Sequence, residues 1–188
     1  MKAKYCLVVV IFLGSRLMYS QDIVDPVADF SAKYEGKSGD KIYRLVCDLE
    51  NNGKPDIFLA YSSSLESDGD CGWVLYLNRN GKYITAPGLT EHGGTDSTLG
   101  ITFNIKRYKI GNIAELDKWG LLTSETSTGV NNGTQLKAII VEGNTFKMVD
   151  VGSYQLYTGP TPTPSPGSTP VPSRFPNPPV PAIEELNP

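Results

Sequence analysis

Eleven of the 14 prolines of this 188-residue chain fall between positions 160 and 188, in Thr-Pro-Thr-Pro-Ser-Pro, Pro-Val-Pro and Pro-Asn-Pro-Pro-Val-Pro. A stretch so poor in backbone donors and apolar mass cannot build a packed layer. Residues 159–188 are therefore expected to form an extended, solvated or disordered tail, either passive or a spacer. Any hydrophobic core has to come from what precedes them.

The other boundary lies near position 20. Lys2 and Lys4 precede an apolar run over residues 5–14 containing Cys-Leu-Val-Val-Val-Ile-Phe-Leu, and small Ser20 stands before Gln21-Asp22. This is the pattern of a signal peptide, here residues 1–20, and the run is shorter than the roughly 20 apolar residues a membrane span needs. A membrane anchor is the alternative. Cys6 lies inside the run, whereas a lipoprotein cysteine follows it. Cleavage would remove Lys2, Lys4 and Arg16 and no acid, taking the balance from 17 basic and 20 acidic residues to 14 and 20, a net −6. A mildly acidic chain with no basic cluster is a poor binder of nucleic acid or anionic membranes, because such binding rests on grouped Lys and Arg. The expectation is a secreted, periplasmic or cell-surface protein with an unidentified extracellular or envelope partner, no nucleic acid, and no membrane span in the mature chain.

Residues 21–158 match the commonest size of a single domain. Asp25-Pro26 is a helix start, Val27, Phe30 and Tyr34 recur at helical spacing and Gly36 is a stop, which predicts one short helix over residues 26–35. The pattern then changes to strands, over residues 41–47, 56–61, 73–77, 82–85, 101–110, 119–123, 135–141 and 145–151. Asn80-Gly81 accepts the positive φ of a tight hairpin turn, and Glu142-Gly143-Asn144 turns the last pair. The predicted fold class is mainly β, antiparallel meander units with one short N-terminal helix. The second set of strands overlays the first at a constant offset of 63 residues, placing Ile42 on Ile105, Leu59 on Leu122, Leu77 on Ile140 and Tyr83 on Phe146. This suggests an internal repeat, residues 41–85 and 104–148, arranged as blades or as a sandwich, although two similar strand patterns also produce such an overlay.

Between the first two strands stands Asp48-Leu49-Glu50-Asn51-Asn52-Gly53-Lys54-Pro55-Asp56. Calcium takes six to eight hard oxygens, which alternating acidic and amide side chains on a tight loop supply. Asp48, Glu50, Asn52 and Asp56 occupy positions one, three, five and nine, Gly53 permits the sharp turn, and the Lys54 carbonyl offers a further oxygen. The same residue types also build metal-free turns. An EF-hand is excluded, since position twelve is Leu59 and the flanks are strand-like.

Residues 46–59, through Asp-x-x-x-x-Gly-Lys-Pro-Asp-Ile, resemble the calcium-loop segment of the FG-GAP and VCBS repeat families, where such a loop joins two strands of a propeller blade. The resemblance implies a metal held by Asp48, Glu50, Asn52 and Asp56, in proteins of adhesion, surface recognition or exported architecture. At the 63-residue offset Gly111, Ile113, Glu115 and Trp119 stand in the ligand positions, so a second unit would have lost its metal. Two units are too few for a closed propeller.

A second acidic cluster, Glu66, Asp68 and Asp70, could line the same region, although such a cluster is more often a solvated loop tip. Cys47 and Cys71 remain after cleavage, an even pair in an oxidising compartment, and a disulfide between them is expected, with buried free thiols as the alternative. Enzyme signatures are thin. His92 is the single histidine, and no Gly-x-Ser-x-Gly segment accompanies His92-Gly93-Gly94. Glu91, Glu115 and Asp117 are the carboxylates a small hydrolase would use, and equally plain surface charge. Asn132-Gly133-Thr134 is a glycosylation sequon if the source is eukaryotic. The reading is an exported non-enzymatic β-domain with a structural calcium loop and a recognition or architectural role; the alternatives are a hydrolase using carboxylates and a purely structural envelope protein.

Overall fold

A computed structural model describes residues 23–127, 133–155 and 182–186. The segment expected to be a signal peptide, most of the proline-rich stretch and the sequon residue Asn132 lie outside the described residues. Asp25 caps helix α1 (Pro26–Lys33), its carboxylate accepting from the Ala28 amide at 2.9 Å, and Pro26 opens the first turn. This start matches the sequence signal, and the helix ends two residues before the expected position.

Twelve strands follow among the described residues: β1 (Ile42–Cys47), β2 (Asp56–Tyr61), β3 (Asp70–Arg79), β4 (Lys82–Thr85), β5 (Gly88–Leu89), β6 (Thr95–Asp96), β7 (Ile101–Asn104), β8 (Tyr108–Ile113), β9 (Lys118–Ser127), β10 (Gly133–Glu142), β11 (Thr145–Gln155) and β12 (Ile183–Leu186). They form two sheets, one ordered β12-β1-β2-β3-β4 with β7 joined to β3, the other β6-β5-β11-β10-β9-β8. The fold is mainly β, with antiparallel meanders and one short helix, as the hydrophobic periodicity predicts. Among the described residues no helix is long and apolar enough to cross a membrane.

Both sheets bury side chains in one central cluster. Leu45, Phe58, Trp73, Leu75, Leu77 and Phe103 meet Leu121, Ile139 and Phe146 there. Trp73 and Phe103 stack with ring centroids 4.5 Å apart, and Phe58 meets Phe103 edge-on at 5.2 Å. Aromatic pairs in these geometries add to the area they bury. On the far side of the first sheet α1 seats Phe30 over Ile42, Leu59 and Tyr76, and the Tyr76 hydroxyl donates to Asp29 at 3.0 Å.

The two meanders share strand order, and their last hairpins share register at the 63-residue offset: Leu77 pairs with Ile84, and Ile140 with Lys147. The match does not extend inward through the sheets. Leu59 pairs with Val74 but Leu122 with Ala138, one residue out of step. A slip of one residue turns a strand over. Phe58 and its counterpart Leu121 therefore both face the central core, whereas Leu77 faces it and Ile140 packs in a separate cluster with Leu122 and Leu136. The gap-free overlay keeps the buried face in the first two strands of each meander and inverts it in the last two.

Three expectations change. The single strand expected over residues 101–110 is two strands in different sheets, β7 and β8. Asn104 breaks it: buried, it accepts from the Lys106 amide at 2.9 Å and donates to the Asp68 carbonyl at 3.0 Å and to Asp70 at 2.9 Å, so the chain turns. The tail is not solvated throughout, because Ile183–Leu186 is a strand paired with β1. Finally, Cys47 and Cys71 are buried free thiols and the expected disulfide is not formed. Cys47 lies opposite Asp56 at the start of β2, while the pairing of Leu59 with Val74 puts Cys71 level with position 62. Six positions along a strand is about 20 Å, against the 7 Å or less between Cα atoms that a bridge requires.

Candidate functional site at residues 48–56

The loop leaves β1 after Cys47 and returns at Asp56, and its conformation is held by its own acids. Asp48 accepts from the amides of Glu50 at 3.2 Å and Asn52 at 3.0 Å through one oxygen, and from Gly53 at 2.7 Å through the other. Asn52 accepts from the Lys54 amide at 2.8 Å. These side-chain bonds replace the ladder the backbone lost on leaving the sheet, which is the ordinary work of Asx turns. Asn51 (φ 53°) and Gly53 (φ 75°) supply the left-handed positions that reverse the chain.

Asp56 works inward. Its side chain is fully buried, with one oxygen accepting from Leu49 N–H at 3.1 Å and the other from Asn78 N–H at 2.9 Å. Burial pushes its carboxyl up to about 6, while those two amides pull the other way. Burial, reinforced by Asp56 and Asp48 nearby, also raises the Cys47 thiol far above its ordinary range, so the group is an inert hydrophobe rather than a nucleophile.

Glu50 meets Arg79, Oε2 to Nη1, at 2.6 Å. Lys54 Nζ donates to Asn80 Oδ1 at 2.8 Å in the β3–β4 turn. Trp119 on β9 donates its indole N–H to the Asp48 carbonyl at 2.9 Å, a contact with the opposite sheet that no sequence signal marked.

All five expected calcium ligands therefore lie on one loop, and Asn52 Nδ2 donates to Glu50 Oε2 at 3.3 Å, but the three carboxylates are turned to different partners. Asp48 is folded onto the loop amides, Glu50 onto Arg79 and Asp56 into the first sheet. The three carboxylates that do converge among the described residues are Glu66, Asp68 and Asp70, whose oxygens lie within 4.8 Å of one another. Glu66 and Asp68 are exposed, as a loop tip would be, while Asp70 is buried against Asn104.

Of the carboxylates considered for hydrolysis, Glu115 and Asp117 share one turn and Glu91 lies apart from them. His92 and Glu91 are exposed in the β5–β6 turn, and Glu115 and Asp117 are exposed in the β8–β9 turn. Strands β5 and β8 are four places apart in their sheet, about 19 Å at the usual strand spacing. Paired glycosidase carboxylates stand about 5 to 9.5 Å apart. No family model, curated protein or solved structure matches the chain.

Proposed function

We propose that this chain is an exported, non-enzymatic β-module with a recognition or architectural role, whose loop at residues 48–56 is a clasp between two sheets and a structural calcium site. The observation that carries the proposal is the convergence of both sheets on that loop, through Trp119 from one side and through Arg79 and Lys54 from the other. A cation bound there would act on the packing of the whole domain.

Calcium enters the proposal as a competitor of Arg79. The guanidinium supplies positive charge beside Glu50, while Asp48 is half-buried and Asn52 and Lys54 are exposed. Binding releases Glu50 from Arg79 and turns Asp48 away from part of its amide set, so affinity is lowered by the bonds it breaks. The hydrolase alternative gains least from the geometry, because Glu91 and His92 lie on a turn far from the one that carries Glu115 and Asp117. A turnover assay on Glu91→Ala, Glu115→Ala and Asp117→Ala tests it directly.

The deciding experiment is thermal unfolding with calcium, with magnesium and with chelator, beside Asp48→Ala. At ten times its dissociation constant a ligand adds about 1.4 kcal/mol, a shift of several degrees in a domain of this size. Calcium alone should raise the midpoint, and Asp48→Ala should remove the effect. Three coincident curves would leave the loop a metal-free clasp and remove calcium from the proposal.

A further inference from the structure

The edge of the first sheet is closed by a strand that arrives from far along the chain. β12 lies antiparallel to β1, with Ile42 opposite Leu186, Tyr43 opposite Glu185, Arg44 opposite Glu184 and Leu45 opposite Ile183. The four residues are read in three ways. Their backbone completes the ladder of β1. Ile183 packs against the central core and Leu186 against the cluster beneath α1. Glu184 accepts from Arg44 Nε at 3.1 Å, and Glu185 from Lys41 Nζ at 2.7 Å.

The attachment is light. Both ion pairs are solvent-exposed and contribute little by themselves, and neither apolar side chain is fully buried. Residues 156–182, ten of them proline, separate β12 from β11. Drawn out at about 3.1 Å per residue they would reach roughly 80 Å, well beyond the dimensions of such a domain. β12 is joined to β11 only through that connection, whose length sets the effective concentration of the strand at β1, and a separate segment of the same chemistry competes with it.

We propose that the β1 edge is a strand-addition site for an extended partner segment of the pattern apolar-Glu-Glu-apolar, and that Ile183–Leu186 is its resident, displaceable occupant. Strand addition takes affinity from main-chain hydrogen bonds and selectivity from alternate side chains. Lys41 and Arg44 select acids at the two middle positions, and the seats beside Leu45 and Ile42 select apolar groups at the ends. An edge left bare would expose unpaired N–H and C=O groups and invite indiscriminate pairing, which the resident strand prevents. The inference rests on the recognition part of the proposed function and is independent of calcium, so a failed calcium titration leaves it standing.

The test uses the full chain carrying Glu184→Lys and Glu185→Lys together, with a fluorescent peptide of residues 182–187, Ala-Ile-Glu-Glu-Leu-Asn. Amide exchange should report loss of protection in β1, and anisotropy should show the peptide binding the variant at least tenfold more tightly than the unaltered chain. A peptide with both glutamates replaced by lysine should bind neither, and Arg44→Glu should abolish binding of the natural peptide. If the variant fails to fold, excess natural peptide added to the unaltered chain should still raise exchange in Ile183–Leu186. Equal binding to both chains, no binding to a released edge, or β1 protection unchanged by the charge reversal would each overturn the proposal. Concentration-dependent dimers without peptide binding would overturn it in favour of strand exchange between copies.

Discussion

Glu50 and Arg79 meet at 2.6 Å, and the same guanidinium continues to the turn of the second sheet, donating to Asn144 Oδ1 at 2.8 Å and to the Gly143 carbonyl. One side chain on β3 therefore fastens the 48–56 loop to the β10–β11 hairpin. Both ends of the ion pair are largely shielded, so solvent weakens it less than an exposed pair.

Arg79→Ala should cost on the order of 2 kcal/mol, since it strips charge-assisted bonds from several acceptors at once. In a domain of this size that lowers the melting midpoint by about 4 to 8 °C. Arg79→Lys should recover little, because a point charge cannot span Glu50, Asn144 and Gly143 together. A lysine variant as stable as the parent would show that charge alone matters. If calcium occupies the loop, Arg79→Ala removes its competitor, and the calcium-induced shift should be larger in that variant than in the parent.

Asp56 predicts a pH dependence. Its folded carboxyl titrates at about 6, above the ordinary value of 3.8, so the folded state holds the proton more tightly than the unfolded chain does. The contribution of this group to stability is therefore fully present below about pH 4 and is lost as pH rises through 6. Denaturant midpoints from pH 7.5 down to 4.5 should show Asp56 adding on the order of 2 kcal/mol. Asp56→Asn should lose that trend, and it should be less stable at pH 5 because one of the amides of Leu49 and Asn78 is left without an acceptor. A parent and variant with parallel pH profiles would place the titration elsewhere.

Much of this fold was legible because its local signals agree with its tertiary ones. Asp25-Pro26 caps a real helix, and Asn80 (φ 59°) with Gly81 (φ 81°) makes the expected turn. What escaped depends on partners distant in sequence. Ile183-Glu-Glu-Leu186 resembles a solvated tail until β1 offers its edge and two cations. Asn104 sits within an apolar run, and its turn is set by acids more than thirty residues upstream. The loop at residues 48–56 could be found from its residue types, but the direction of each side chain could not. Asp56 turns inward for the Asn78 amide and Glu50 turns to Arg79, both across non-local contacts.

The thiols provide a direct check on strand register. Cys47 and Cys71 should stay unreactive to a thiol reagent in the native protein and both react on unfolding, and a reductant should leave the melting midpoint unchanged. A mass two units low, with a midpoint that falls on reduction, would require β1 and β3 to pair in another register.

Gly120 on β9 is a position where an added side chain would meet the backbone of the second sheet. A Cβ added there would lie 2.4 Å from the Ile139 carbonyl oxygen and 3.1 Å from Ile140 Cγ2. The first contact is with backbone inside a paired strand, so relief requires β9 and β10 to separate rather than a side chain to rotate. Leu121 and Ile139, paired across those strands, are both fully buried in the central core, and any separation disturbs them. Gly120→Ala should therefore cost at least about 2 kcal/mol, as overpacking in well-filled interiors does, despite alanine's better strand entropy. Gly72, in the first sheet, is the control: nothing lies within 4 Å of its added Cβ, and its φ is not in the positive range. Gly72→Ala should be neutral or slightly stabilising by thermal unfolding. If both substitutions behave alike, the close approach of β9 to β10 at Gly120 is not what sets the packing of the second sheet.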